Sequence, residues 1–175
     1  HSAYVADKAK VFTGARAQVG YNAQDGVTEQ LARDAEVVDG CRGVGFTLGA
    51  PSVGMVGVVD DVLVDRAFVD NRQTHAAELV TIGTLGVAGS HNVANALAAA
   101  ALARSLGVSA QHVRRGLTGF VPPEHRMASV AVIDGIRFVD DSKATNTHAA
   151  DVALGAFDRV IWIAGGLAKG GEFDD

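Results

Sequence analysis

The chain has 175 residues, 20 acidic against 15 basic, a net charge of −5, and 48% hydrophobic but only 6% aromatic residues. That length suits one ordinary domain or one domain plus part of another, and an aliphatic, aromatic-poor composition suits an α/β protein rather than a β-sandwich. The lack of a basic stripe argues against nucleic acid as a partner, the single cysteine, Cys41, excludes an internal disulfide and is compatible with a reducing cytoplasm, and no apolar run reaches the roughly 20 residues of a membrane span.

Residues 4–12 read as the end of a helix, with Tyr4, Lys8 and Val11 on one face and Gly14 as its stop. Residues 15–21 alternate as a strand does, Asn22 to Gly26 is turn chemistry, and 28–35 is a short helix opened by Thr28-Glu29-Gln30-Leu31. Residues 37–48 suggest strand, turn, strand; Gly43-Val44-Gly45 resembles part of a dinucleotide fingerprint but lacks the helix that should follow. Residues 55–59 and 62–66 flank Asp60-Asp61 as a hairpin, and 79–82 and 85–88 are extended. Gly89-Ser90-His91-Asn92 then leads into a long helix over 93–106, with Ser90 as its N-cap and Leu97, Ala101 and Leu102 on its apolar face. Ser109 caps a second helix over 110–117, and Pro122-Pro123, which cannot continue a helix, marks a domain boundary.

Beyond that boundary, Asp134-Gly135 between the apolar runs 130–133 and 136–139 is a strong hairpin signal. The polar stretch Asp140-Asp141-Ser142-Lys143-Ala144-Thr145-Asn146 follows, then a helix over 147–157 with Thr145 or Asn146 as its cap, then the run 159–164, apolar on both faces as buried parallel strands are. Trp162 and Cys41 are expected in the core. If strands 136–139 and 159–164 share a sheet, they are parallel with a right-handed crossover. Loops 140–146 and 165–171 then emerge side by side, bringing Lys143 and Lys169 to one crevice with Thr145 and Asn146 beside them. Two ammonium groups and glycine-exposed backbone N–H groups favour an anionic ligand, a carboxylate or a phosphate. The simpler alternative is two solvated loops with surface lysines.

These residues resemble the Mur ligase family. The heptapeptide 140–146 is similar to the signature of its D-glutamate-adding branch, Gly89-Ser90-His91-Asn92-Val93-Ala94-Asn95 to the family's G-x-H-N-x-x-N helix start, His125-Arg126 to its P-H-R with Glu124 in place of proline, and Gly165-Gly166-Leu167-Ala168-Lys169 to its G-G-x-x-K loop. The resemblance implies the later half of a central ATPase domain over 1–121 and the start of a Rossmann-like C-terminal domain over 122–175. It implies a cytoplasmic, monomeric enzyme of peptidoglycan synthesis, and so of cell-wall biogenesis, cell shape and division. Its reaction would be ATP- and Mg²⁺-dependent ligation of D-glutamate to UDP-N-acetylmuramoyl-L-alanine through an acyl phosphate. By the same resemblance, His91, Asn92 and Asn95 line the adenine pocket, and Arg126 and Asp141 lie near the ribose and phosphates. Thr145 and Lys169 hold the D-glutamate side-chain carboxylate. Lys143 sits at the reacting groups, and Asn146 is placed with the substrate loop it braces by capping. Lys8 would be the carbamylated lysine that helps hold Mg²⁺, with Lys10 as competitor.

No G-x-x-x-x-G-K-[ST] phosphate loop occurs in the chain. The lack of an initiator methionine before His1-Ser2 and the stop at Asp175 after a glycine-rich loop fit a piece of a longer polypeptide. As a separate molecule it is expected to be inactive. A non-catalytic α/β module binding a nucleotide or anion, and a folylpolyglutamate synthase-like ligase, are the alternative readings.

Overall fold

The computed structural model describes residues 2–87 and 89–167. Helix α1, Ser2–Ala9, runs into a 3₁₀ turn, Lys10–Phe12. Strand β1 (Gln18–Asn22), helix α2 (Gly26–Arg33) and strand β2 (Arg42–Phe46) follow, then β3 (Met55–Val59), β4 (Val62–Asp65) and β5 (Ala77–Thr81). The five strands form one sheet in chain order, parallel from β1 to β3 and antiparallel from β3 to β5. Helices α3 (Ser90–Ser105) and α4 (Ala110–Thr118) come next, and then a separate two-stranded antiparallel hairpin, β6 (Ala128–Ile133) and β7 (Ile136–Asp140), and helix α5 (Thr147–Leu154). The architecture is α/β, as the composition and pattern led one to expect.

The core lies between the sheet and α3. Val93, Ala96, Leu97, Ala100 and Ala101 are buried, the i, i+3, i+4, i+7, i+8 spacing of a single helix face. They meet Val44, Val56, Leu63 and Leu79 from the strands. Each large aliphatic side chain so buried contributes about 1.5–3 kcal/mol. Leu102, expected on this face, is 55% exposed whereas Leu97 is fully buried. Alanines surround the helix, so composition marks no face, and Leu102 lies five residues, about 140°, from Leu97.

The same face ends at Arg104, which reaches the buried Asp65 at the end of β4. The Nε–Oδ2 distance is 2.7 Å, with the Asp65 side chain wholly buried and that of Arg104 13% exposed. Asp65 also accepts the backbone N–H groups of Ala67 and Phe68 through Oδ1, while Arg104 donates to the carbonyls of Phe68 and Val108. Both oxygens of Asp65 and all three nitrogens of Arg104 are thus hydrogen-bonded, which ties β4, the following loop and the C-terminal turn of α3 together.

Several local expectations change. The α2 cap is Asp25, whose carboxylate accepts the N–H groups of Val27 and Thr28, so the helix opens at Gly26 rather than at Thr28. Residues 37–48 hold one strand, not two, and Cys41 is half-buried. A 3₁₀ turn, Ile82–Thr84, replaces continuous extended chain after β5, and residues 85–87 form no strand. The N-cap of α3 is Gly89, and Ser90 is its first helical residue. Ser109 caps α4 through the N–H of His112, and Asp60-Asp61 and Asp134-Gly135 are the hairpin turns as read.

The largest correction concerns 159–164. The run is no strand, and among the described residues β7 pairs only with β6 and no parallel βαβ unit forms from 136–164. A strand apolar on both faces needs both faces covered. Here Ile161 is 89% and Ile163 92% exposed, and Trp162, expected in the core, is exposed as well.

Breaking a buried pair from one side leaves an uncompensated charge. Asp65→Ala is expected to lower unfolding stability by about 3–5 kcal/mol, whereas Glu29→Ala, which removes the half-buried partner of the exposed Arg33, changes it by less than about 1 kcal/mol. Urea unfolding of the two variants beside the parent chain checks this; equal midpoints for the two variants would show that the Asp65 network contributes nothing special.

Candidate functional site

The β6–β7 hairpin decides what meets at its open end. Asp134 and Gly135 both have positive φ, 50° and 80°, the geometry of a tight two-residue turn whose twist matches the strands. The register then runs from Ile133 opposite Ile136 to Ala128 opposite Asp140. Residues 125–127, just before β6, thus lie beside 140–143, just after β7.

Five hydrogen bonds organise this end. His125 Nδ1 lies 2.6 Å from Asp140 Oδ2, Asp140 Oδ1 accepts the Ser142 N–H at 3.0 Å, and Asp141 Oδ1 accepts the Met127 N–H at 3.0 Å. Lys143 N–H donates to the His125 carbonyl at 3.0 Å, and Ala144 N–H to the Asp141 carbonyl at 2.9 Å. His125 and Met127 both occupy the left-handed region, with φ 64° and 50°, a conformation that costs of order 1–2 kcal/mol for each such residue. The contacts from Asp140, Asp141 and Lys143 hold that turn, with Arg126 at its centre. The hydrogen bond from His125 first, and then the backbone and hydroxyl of Ser142, hold the Asp140 carboxyl down to about 2.

Lys143, Thr145 and Arg126 are exposed, and neither Lys143 nor Arg126 takes part in an ion pair among the described residues. Two cations and a hydroxyl on two loops fastened to each other form a surface suited to an anion. Asn146 accepts the Ala149 N–H at 2.8 Å and caps α5, so its side chain braces the loop. Lys169 lies outside the described residues, and the crevice it was to share with Lys143 rested on the parallel strand pair that does not form.

The start of α3 is a second polar place. Gly89 sits at φ 90°, and its carbonyl accepts the N–H groups of Asn92 and Val93. A Cβ there would stand 2.8 Å from His91 Cε1 and 3.7 Å from the Ala156 Cβ. The imidazole therefore folds back over Gly89, and the chain just past α5 comes up against the same spot. His91 and Asn92 are half-buried and Asn95 is exposed. The structure thus brings Arg126, Asp141 and Lys143 together, and brings the His91 turn close to the end of the 147–157 segment.

Lys8 stands apart. It is exposed on α1, its ammonium 5.4 Å from the centre of the Tyr4 ring, while Lys10 pairs with Asp7. No group of three His, Cys, Asp or Glu side chains among the described residues could hold a metal ion. Lys8 is therefore not joined by such a group among the described residues. Sequence reasoning missed the pairing of His125 with Asp140: counting back from the Asp-Gly turn sets 125–127 opposite 142–144, and only the register shift between Ser129 and Ala131 brings them opposite 141–143.

No protein-family model matches the chain. Individual relatives do. A 173-residue stretch is 54% identical to the UDP-N-acetylmuramoylalanine–D-glutamate ligase of Streptomyces avermitilis, covering 99% of this chain and 37% of that protein. The ligase of the same name from Streptomyces coelicolor is 53% identical over 173 residues, with 99% and 37% covered, and that of Mycolicibacterium smegmatis 44% over 174 residues, with 99% and 33% covered. The chain belongs to the UDP-N-acetylmuramoylalanine–D-glutamate ligase family. It spans about a third of the length of the curated relatives it matches. In this member of the ligase family, no helix among the described residues is long and apolar enough to cross a membrane.

The low Asp140 value has a consequence for acid stability. A carboxyl held at about 2 when folded, against an ordinary 3.8, contributes stability that is fully present above pH 4 and is lost as pH falls towards 2. The Asp140 carboxyl carbon followed by NMR is expected to titrate near pH 2 in the parent and to move back towards pH 4 in His125→Ala. A parent value near 4 would show that the contact with His125 does not persist in solution.

Proposed function

We propose that this chain is the amino-acid-accepting segment of an ATP-dependent ligase that joins D-glutamate to UDP-N-acetylmuramoyl-L-alanine in peptidoglycan synthesis. The kinship with ligases of that name supports the reaction. The fastening of turn 125–127 to loop 140–146 is the observation that carries the site, because it gathers Arg126, Asp141, Lys143 and Thr145 at one hairpin end.

The reaction balances as follows. A carboxylate oxygen of the muramoyl-alanine substrate attacks the γ-phosphorus of ATP, forming an acyl phosphate and releasing ADP. The amine of D-glutamate attacks the acyl carbon, the C–O bond to phosphate breaks, and phosphate leaves as the amide forms and the amine proton is shed. Each step gathers negative charge, so fixed cations lower its barrier. In this reading Lys143 neutralises charge at the reacting groups, and Arg126 meets the nucleotide phosphates and ribose. Asp141 holds the Arg126 turn in place through Met127 and stands beside the ribose. Thr145, with Lys169, receives the D-glutamate side-chain carboxylate, and Asn146 braces that loop. His91, Asn92 and Asn95 form the adenine side at the start of α3. Magnesium would supply charge neutralisation to such a ligase; the described residues assemble no group of three His, Cys, Asp or Glu side chains for it, and Lys8, as a carbamate, would contribute one of its ligands.

The chain carries no phosphate-binding G-x-x-x-x-G-K-[ST], so the grip on the phosphates must come from other sequence. Two outcomes follow. The full-length protein is expected to release ADP only when UDP-N-acetylmuramoyl-L-alanine and D-glutamate are both present, while this chain alone releases none; turnover indifferent to D-glutamate overturns the assignment. In the full-length protein Lys143→Ala is expected to lower kcat roughly 10²–10³-fold, the scale of losing one charge-stabilising donor. Unchanged turnover in that variant would remove Lys143 from the chemistry.

A further inference from the structure

We propose that Asp140 is a positioning residue that fixes the tautomer of His125 and, through it, the turn that presents Arg126 beside Lys143. An ionised carboxylate only accepts hydrogen bonds. The 2.6 Å contact between His125 Nδ1 and Asp140 Oδ2 therefore requires the proton on Nδ1, and whenever the ring is neutral its lone pair is on Nε2. Left to itself a histidine beside no partner chooses its tautomer freely; here the carboxylate chooses it.

The placement is cooperative. The two oxygens of Asp140 divide their work, one on the His125 ring and one on the Ser142 N–H, while the His125 carbonyl takes the Lys143 N–H. Ring, carboxylate, Ser142 and Lys143 thus close a loop of hydrogen bonds around the turn. Asp141 closes a second one through the Met127 N–H. Arg126 lies between the two closures, flanked by residues at φ 64° and 50° that would relax to ordinary backbone once the clasp opened. The charged groups at this end are Asp140, the last residue of β7, Asp141 just after it, and Arg126 and Lys143 on the two loops that the clasp joins.

The ligase reading enters only through the kinetic arm of the test; the tautomer arm is independent of it. In the full-length protein, ¹⁵N-resolved imidazole spectra, with His125→Gln to identify the signal, are expected to show Nδ1 protonated and Nε2 bare at a pH where the ring is neutral. Asp140→Ala is expected to shift the ring towards Nε2–H. Asp140→Glu, which keeps a carboxylate with two acceptor oxygens, should hold the Nδ1–H form. Kinetically, Asp140→Ala is expected to raise the KM for ATP and lower kcat by about tenfold or more, as misplacement of a positioned group does, with Asp140→Glu recovering most of that loss. A parent ring in the Nε2–H form, or an Asp140→Ala ring unchanged from the parent, overturns the proposal. So does a kinetic loss in Asp140→Ala that Asp140→Glu does not recover. If the tautomer behaves as stated but the parent shows no D-glutamate-dependent turnover, the clasp stands and the ligase assignment falls.

Discussion

The burial of one face of α3 across the sheet is the contact on which the rest of the molecule depends. Val93, Ala96, Leu97, Ala100 and Ala101 hold the helix against the strands, and the last residue of the same stripe, Arg104, locks it to Asp65. A hydrophobic stripe alone permits sliding along its axis, because apolar contact is not directional. The buried ion pair at one end supplies direction, and the geometry of Gly89 at the other end sets where the helix begins. That is how the polar groups at the start of α3 come to lie next to the segment after α5.

The second organising element is smaller and local. A two-residue Asp-Gly turn starts the register of β6 against β7, a shift between Ser129 and Ala131 moves it by one residue, and the register then decides which residues stand opposite each other at the open end. Two carboxylates that look like candidate ligands in the sequence are engaged with the protein itself. Asp140 holds a ring and a backbone N–H, and Asp141 holds the N–H of Met127. The groups left facing outward are the cations Arg126 and Lys143 and the hydroxyl of Thr145. The acids set the geometry of this end, and the bases are left exposed on its surface.

Much of this was legible in the sequence. The Asp-Gly and Asp-Asp hairpins, the Ser109 and Asn146 caps and the stop at Gly107 are short-range signals, written within a few residues of where they act. Motifs at 89–95, 125–126 and 140–146 pointed to one family, to which similarity over nearly the whole chain assigns it. Less legible was any feature whose partner is distant. Leu102 and Leu97 are equivalent by composition in an alanine-rich helix, and only the packed sheet distinguishes them. Ser90 looks the better cap, yet Gly89 occupies the position because the chain enters the helix at a positive φ.

The sequence by itself determined the α/β class, the turns that bend the chain and the chemistry displayed on its loops, because each depends on neighbours a few residues away. Tertiary structure alone decided three things. It selected the buried face of α3, it matched Asp65 with Arg104 across 39 positions, and it left 159–164 exposed instead of joining it to β7 as a parallel strand. A parallel strand has no local turn to announce it and forms only where another strand's edge and two covering faces await it. The apolar run carries the composition of such a strand, but composition cannot supply the partner.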